Sequence, residues 1–146
     1  MEWLDFVEVI EASLSDDLLT PAFRAFKKRT GTSSNVFGHC YVASEAAYHL
    51  LGGKASGWKP QYVKHLGCPH WFLKHESGAI LDITASQFRS PVSYDKARGI
   101  GFLTKAPSKR ARLLIKKVGQ HPLWQFIKTQ DKSHGKHCGS RSSLGR

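Results

Sequence analysis

The fold is decided by one stretch, residues 38–53: Gly38-His39-Cys40-Tyr41-Val42-Ala43-Ser44-Glu45-Ala46-Ala47-Tyr48-His49-Leu50-Leu51-Gly52-Gly53. Small and apolar residues dominate it, and one helix face collects Cys40, Ala43, Ala47 and Leu51. The glycine pair at its end is typical of a helix C-terminus. The pattern predicts a buried helix with Cys40 in its first turn.

Two shorter helices are predicted before this stretch. Apolar residues at spacings of three and four in the first 14 residues predict a helix to about Ser13. Thr20-Pro21 is a typical N-cap followed by a proline in the first helical position, which predicts the start of a second helix. Thr30 to Gly38 has the composition of a loop.

After the cysteine helix the pattern changes to strands, predicted at Lys59 to Leu66, His70 to His75 and Ala79 to Thr84. Gly67-Cys68-Pro69 and Glu76-Ser77-Gly78 separate them. Gln87 to Phe102 fits no single state. We therefore expect an α+β fold in which N-terminal helices, including the one that bears the cysteine, pack on a small antiparallel sheet.

The C-terminal third predicts two more helices and a tail. Pro107-Ser108 opens a basic helix through about Val118, and Pro122 opens a shorter one. From Asp131 onward the composition collapses to mostly Lys, Ser, His, Gly and Arg, which predicts a disordered basic tail over residues 131–146. Residues 1–130 are then one domain, a usual size for a single hydrophobic core.

The loop Glu76-Ser77-Gly78 decides whether His70 and Asp82 can meet. A two-residue loop would place the two side chains on opposite faces of the sheet. A three-residue loop favours glycine at its third position, where Gly78 stands. With that loop His70 and Asp82 lie on one face as diagonal neighbours, within reach of a hydrogen bond.

These residues can form a nucleophilic site. A cysteine in the first turn of a helix faces unpaired backbone N–H groups and the positive end of the helix dipole, which stabilise a thiolate. A nucleophilic thiol also needs an imidazole to take its proton and a group that orients the imidazole. Cys40, His70 and Asp82 are the candidates for these three roles.

Gly38-His39-Cys40-Tyr41-Val42-Ala43, then His70-Trp71, then Leu81-Asp82-Ile83-Thr84 resemble the papain-like superfamily of cysteine hydrolases and transferases, nearest its transglutaminase-like branch. Arylamine acetyltransferases and NlpC/P60 amidases share the same order. The match covers about Gly38 to Phe88, and His39 stands where transglutaminases usually have Gln. The resemblance implies a papain-like fold, with Cys40 as nucleophile, His70 as general base and Asp82 as its orienting carboxylate.

The reaction implied is attack of Cys40 on an amide or acyl carbon, followed by resolution of the thioester by water or an amine. A peptidase, a deamidase and a transglutaminase-like transferase all fit, with a protein, a peptide or a small amide as substrate. The oxyanion would need the Cys40 N–H and one polar side chain. Asn35, His39 and Gln87 are the candidates, and Asn35 ranks first because it lies just upstream of the nucleophile.

Two other interpretations of the same residues stand beside this one. A cysteine on a helix of alanine and leucine is often plain core packing. Zinc binding is the chemical rival because the chain has eight histidines and three cysteines. However, the clusters Cys68-Pro69-His70 and His134-Gly135-Lys136-His137-Cys138 pair with no second cluster at structural-site spacing. We therefore predict no metal and no cofactor.

Charge suggests a different class of function. The net charge is +11, and the first 20 residues hold six acids and no base, so the remainder is still more basic. The basic helix collects Lys109, Arg110, Arg112, Lys116 and Lys117. This pattern is typical of a solvated helix face, or of a surface that contacts phosphates. The alternative function is a catalytically idle module that binds nucleic acid or an acidic protein.

Localisation follows from the cysteines and the N-terminus. Three cysteines are an odd number, which favours free thiols in a reducing compartment. The acidic start differs from a secretory signal, and the apolar runs are far shorter than the roughly 20 residues of a membrane span. We expect a cytoplasmic protein with no membrane partner.

Overall fold

The computed structural model describes residues 2–31 and 38–132. The helices in these ranges are α1 (Trp3–Ala12), α2 (Pro21–Thr30), α3 (Cys40–Leu50), α4 (Lys109–Gln120) and α5 (residues 122–132). The strands are β1 (Trp58–His65), β2 (Cys68–His75), β3 (Ile80–Leu81) and β4 (Arg98–Gly99). They form one antiparallel sheet in the order β3-β2-β1-β4, so the predicted α+β class is confirmed.

Local signals place the helix starts where they were predicted. The Thr20 hydroxyl accepts the N–H of Phe23 at 3.3 Å, and Pro21 is the first residue of α2. The Ser108 hydroxyl accepts the N–H of Ala111 at 3.2 Å at the start of α4. These side chains satisfy backbone donors that the first helical turn leaves unpaired.

The helix α3 is the centre of the molecule, since it contacts β1 and β2 on one side and α1 and α4 on the other. Ala43, Ala46 and Ala47 are completely buried, and their small side chains allow these neighbours to approach closely. The carboxylate of Glu45 is also buried. It accepts hydrogen bonds from the N–H of Ser108 at 2.8 Å and from its hydroxyl at 2.7 Å, which joins α3 to the N-terminus of α4.

The turn between β1 and β2 differs from the prediction. Leu66 and Gly67 form a two-residue turn with φ of +52° and +78°, the backbone that a tight hairpin requires. Cys68 and Pro69 were predicted as part of the break, but they are the first residues of β2. Leucine rarely adopts a positive φ, so the residue type at position 66 does not indicate a turn. The prediction that the strand continues through Leu66 is therefore wrong.

The loop between β2 and β3 has the predicted geometry. Leu73 pairs with Leu81 and Lys74 with Ile80, the register of a three-residue loop, and Gly78 has a φ of +94°. The third strand is shorter than predicted. From Asp82 the chain leaves the sheet and turns through a bond from the Ala85 N–H to the Asp82 carbonyl at 3.4 Å.

A short 3-10 turn, Ala85–Gln87, ends at the start of the segment without a predicted state, and that segment contains a second one, Tyr94–Lys96, before β4 pairs with β1. The last helix, α5, includes residues 131 and 132, so the prediction that these two residues belong to a disordered tail is wrong. Residues 133–146 lie outside the described part of the chain. In the described ranges no helix has both the length and the hydropathy needed to cross a membrane.

Candidate active site

Cys40 is the first residue of α3, as its sequence position predicted. Gly38, just before it, has a φ of +75°, and a Cβ there would lie 3.0 Å from Phe23 Cδ1. Glycine therefore lets the chain enter α3 pressed against α2. The thiol is free and half-buried, with Sγ 3.9 Å from the carbonyl oxygen of Pro69 at the start of β2.

His70 is completely buried on β2, opposite Val63 of β1. Its Nε2–H donates to Oδ2 of Asp82 at 2.7 Å, and the Asp82 side chain is only 3% exposed. The ring packs edge-on against Phe88 with 4.7 Å between ring centroids. The register of the β2–β3 loop thus brings together the two residues that the sequence placed on one face.

A second donor holds the carboxylate of Asp82. The hydroxyl of Tyr94 donates to the same oxygen, Oδ2, at 2.9 Å. Burial raises the pKa of Tyr94, and the charge of Asp82 and this hydrogen bond raise it further. The phenol therefore stays protonated and remains a donor at every physiological pH.

The remaining nitrogen of His70 is the one available to the thiol. Nδ1 is buried, and among the residues that the structure describes it has no hydrogen-bond partner. Burial alone lowers the pKa of His70, but the hydrogen bond to Asp82 and the interaction with the neighbouring Cys40 outweigh it and raise that pKa to about 9. At neutral pH the imidazole is therefore protonated beside the thiol.

The three oxyanion candidates have different positions. Asn35 lies outside the described residues. His39 is completely buried, and its Nε2–H donates to the carbonyl of Ser15 at 2.9 Å, so the prediction that it faces the substrate is wrong. Its ring instead satisfies a backbone acceptor that follows α1. Gln87 lines the same cleft as Cys40.

One hydrogen of the Gln87 amide is already used, because Nε2 donates to the hydroxyl of Thr84 at 3.0 Å. An amide nitrogen has two hydrogens, so the second remains for a substrate oxygen. The cleft itself has a volume of about 490 Å³. Its walls come from α2, from the β1–β2 turn and from the 3-10 turn after β3, with Cys40 between them.

The predicted polyanion-binding residues of α4 are partly engaged within the chain. Lys117 pairs with both oxygens of Asp17 at 3.0 Å. Arg110 donates to the carbonyl of Leu18 at 2.9 Å, and Arg112 donates to that of Pro107 at 3.0 Å. Of these five cations, Lys117 is the one with a carboxylate as its partner among the described residues.

A groove of about 560 Å³ lies between α2 and α4. Lys109, Arg110, Arg112 and Lys116 line it, together with Arg24 from α2, which the sequence pattern did not single out. Asp17 is the one carboxylate among its described lining residues.

Over residues 2–31 and 38–132 no set of three or more His, Cys, Asp or Glu side chains is arranged to hold a metal ion. His134, His137 and Cys138 lie outside these ranges.

Tyr94 is the functional residue that the sequence did not reveal. It lies in the segment without a predicted state, and a single tyrosine in a loop carries no local pattern.

Comparisons of the chain with protein-family models, with curated proteins and with solved structures found no significant match. The functional argument therefore depends on the residues and their geometry.

Proposed function

We propose that the protein is a cysteine-dependent amide hydrolase or acyl transferase of the papain-like, transglutaminase-like kind. The observation that supports it most is the buried 2.7 Å hydrogen bond from His70 Nε2 to Asp82. A buried imidazole–carboxylate pair is costly to desolvate, and such pairs concentrate at functional sites. This pair lies beside a cysteine at a helix N-terminus, in the order of a Cys-His-Asp triad.

The proposed reaction begins with the proton of Cys40 on His70 Nδ1. The Sγ thiolate attacks the substrate carbonyl carbon, and the carbonyl oxygen becomes an oxyanion. The Cys40 N–H and the free hydrogen of the Gln87 amide stabilise that oxyanion. The oxyanion then re-forms the carbonyl, the C–N bond breaks, and His70 Nδ1 gives its proton to the leaving amine. A thioester on Cys40 remains.

The second half of the reaction runs in reverse through the same residues. Water or an amine approaches the thioester, and His70 Nδ1 takes its proton as the new bond to the acyl carbon forms. The C–S bond breaks, and the thiolate is restored beside the imidazolium. Asp82 keeps Nε2 protonated throughout, and Tyr94 holds the carboxylate in position. A reducing compartment such as the cytoplasm suits a free thiol of this kind.

Alkylation of the native protein with a low concentration of iodoacetamide tests the activated thiol. Cys68 is exposed whereas Cys40 is half-buried, so accessibility alone predicts faster labelling of Cys68. An imidazolium-paired thiolate predicts the opposite order, with Cys40 about tenfold faster or more at pH 7. Peptide mass spectrometry measures both rates.

Matched variants complete this test. His70→Gln should bring the Cys40 rate down to that of Cys68, whereas His75→Gln, on the same strand but outside the triad, should not. Equal rates for the two cysteines in the unaltered protein would remove the proposal.

A second candidate function is binding of a polyanion in the groove between α2 and α4. The observation that favours it is the set of five cations from two helices around a single carboxylate, Asp17, which is itself paired with Lys117. Phosphate contacts make the logarithm of affinity fall linearly with the logarithm of salt concentration. Titration of a labelled single-stranded oligonucleotide and of polyglutamate at rising salt tests this candidate, and no binding at low salt would exclude it.

A further inference from the structure

The cleft beside Cys40 has aromatic and aliphatic walls. Phe23 and Phe26 of α2 are 42% and 41% exposed, and Leu66 at the β1–β2 turn is 79% exposed. Phe88 completes the lining. Large apolar side chains gathered at one surface cavity mark a site that binds an apolar group.

Charged side chains are excluded from this cavity. No Lys, Arg, Asp or Glu belongs to its lining among the described residues, although the chain has a net charge of +11. The guanidinium of Arg29 packs over the Phe26 ring at 5.5 Å but does not line the cavity. Among the described residues, therefore, no carboxylate, ammonium or guanidinium lines this cleft of a basic protein.

The polar groups in the lining are few. The ring of His65 is nearly buried, shares a hydrogen bond with the Ser90 hydroxyl at 3.2 Å, and packs on Phe88 at 4.6 Å. What remains is the two thiols, Cys40 and Cys68, and the amide of Gln87. A charged substrate group that lies against Phe23, Phe26 and Leu66 would lose water, and no carboxylate, ammonium or guanidinium of the described lining would pair with it.

We propose that the acyl group which Cys40 accepts is apolar, either an aromatic or an aliphatic acyl group of several carbons. This inference rests on the proposed thioester chemistry and specifies its substrate class. Because Cys40 lines the cavity, an acyl group on Sγ places its substituent against Phe23, Phe26 and Leu66. An acetyl group would leave most of the 490 Å³ unfilled.

A series of p-nitrophenyl esters tests the length dependence. Acetyl, butanoyl, hexanoyl, benzoyl and succinyl esters are compared by kcat/KM, each divided by its rate of hydroxide-catalysed hydrolysis. We expect the corrected kcat/KM to rise about fourfold per added methylene, as burial of a methylene predicts. Succinyl, with its carboxylate, should be the poorest substrate. A flat series, or one led by succinyl, would overturn the inference.

Substitutions test whether the preference for longer acyl groups comes from the cleft. Phe26→Ala should flatten the series, because it removes one apolar wall of the cleft, and Phe26→Leu should restore most of the length dependence. Phe126→Ala is the control, because Phe126 is 58% exposed on α5 and does not line the cleft. If Phe126→Ala flattens the series as much as Phe26→Ala, the preference does not come from this cavity and the inference is wrong.

A second measurement needs no turnover. N-benzyl iodoacetamide and iodoacetamide are compared for alkylation of Cys40, each rate divided by the rate with glutathione. We expect at least a tenfold advantage for the benzyl reagent on Cys40, and a loss of that advantage in Phe26→Ala. A ratio near one would overturn the inference.

The outcomes separate the two proposals. Selective alkylation of Cys40 by both reagents at equal corrected rates retains the proposed nucleophile and removes only the apolar acyl group. Equal reactivity of Cys40 and Cys68 toward plain iodoacetamide removes the proposed function as well.

Discussion

The cleft at Cys40 and the groove along α4 share one helix, α2, as a wall, and they are similar in volume at about 490 and 560 Å³. Their chemistry is opposite. No Lys, Arg, Asp or Glu of the described residues lines the cleft, which adjoins a buried His70–Asp82 pair held by hydrogen bonds. The groove is lined by exposed or half-buried cations, and two of its arginines donate to backbone carbonyls.

This difference separates two kinds of functional signal. Burying His70 and Asp82 removes both from water, and a well-packed apolar pair of similar volume would often be as stable, so the pair favours a chemical role over a structural one. Exposed cations on a helix face cost little and are common on basic proteins. The buried pair is therefore the stronger indication of function, although it holds only two ionisable groups against the five cations of the groove.

The largest effect is expected at Asp82. Asp82→Asn removes the negative charge that holds Nε2 of His70 protonated, and an amide that turns its NH2 toward Nε2 moves the ring proton to Nδ1, the wrong tautomer for Cys40. We expect kcat on a p-nitrophenyl ester to fall by about 10²–10⁴-fold. Asp95→Asn is the matched control, because Asp95 lies one residue from Tyr94 and makes no hydrogen bond with the triad in the described chain. Similar activity of Asp82→Asn and the unaltered protein would contradict the triad.

The pH dependence of stability follows from the raised pKa of His70. An unfolded histidine has a pKa near 6.5, and the folded value is about 9, so the folded state holds an extra proton between these values. The stabilisation is complete below about pH 6.5 and is lost as the pH rises through 9. We expect the free energy of unfolding to fall by at most about 3 kcal/mol over this range.

Urea unfolding at several pH values between 6 and 10 measures this slope. The control is Asp82→Asn, whose slope should be much flatter because the main group that raises the pKa of His70 has gone. Stability that is constant or rises with pH in the unaltered protein would show that His70 is not held as an imidazolium.

A smaller effect is expected at Tyr94. Tyr94→Phe keeps the ring packed on Phe72, at 4.8 Å between ring centroids, and removes only the donor to Asp82. The carboxylate then becomes a stronger acceptor for His70, so the pKa of His70 should rise further. We expect kcat to fall about three- to tenfold with KM unchanged, because Tyr94 acts through Asp82 and does not touch substrate.

The pH profile of kcat/KM distinguishes positioning from mere packing at Tyr94. Its alkaline limb should move to higher pH in Tyr94→Phe and to lower pH in Asp82→Asn, since the two changes affect the His70 pKa in opposite directions. A lower kcat with an unmoved limb in Tyr94→Phe would indicate a purely structural role.

The smallest effect is expected on α4, from two neighbouring lysines. Lys116 is exposed in the groove, whereas Lys117 is paired with Asp17 and also bonded to the hydroxyl of Ser15. If an oligonucleotide binds in the groove, Lys116→Ala should reduce the salt slope by about one, with little change from Lys117→Ala. Equal effects of the two variants would mean that binding follows total charge and not the groove.

The sequence by itself determined the local parts of this site. Helix starts follow from Thr20-Pro21 and Ser108 because caps satisfy donors one turn away. The position of Cys40 follows from helix periodicity. Gly78 set the three-residue loop, and hence the face shared by His70 and Asp82, since strand side chains alternate with a strict period of two. Each of these depends on residues that are close in the chain.

Only the tertiary structure decided which distant groups complete the site. Tyr94 donates a hydrogen bond to Asp82. Ser108 of α4 donates one to Glu45 of α3, and His39 donates one to the carbonyl of Ser15. The apolar cleft forms where α2 meets the β1–β2 turn. No period or turn rule connects such residues, because their contacts depend on how whole elements pack, and packing is set by the shapes of many side chains together.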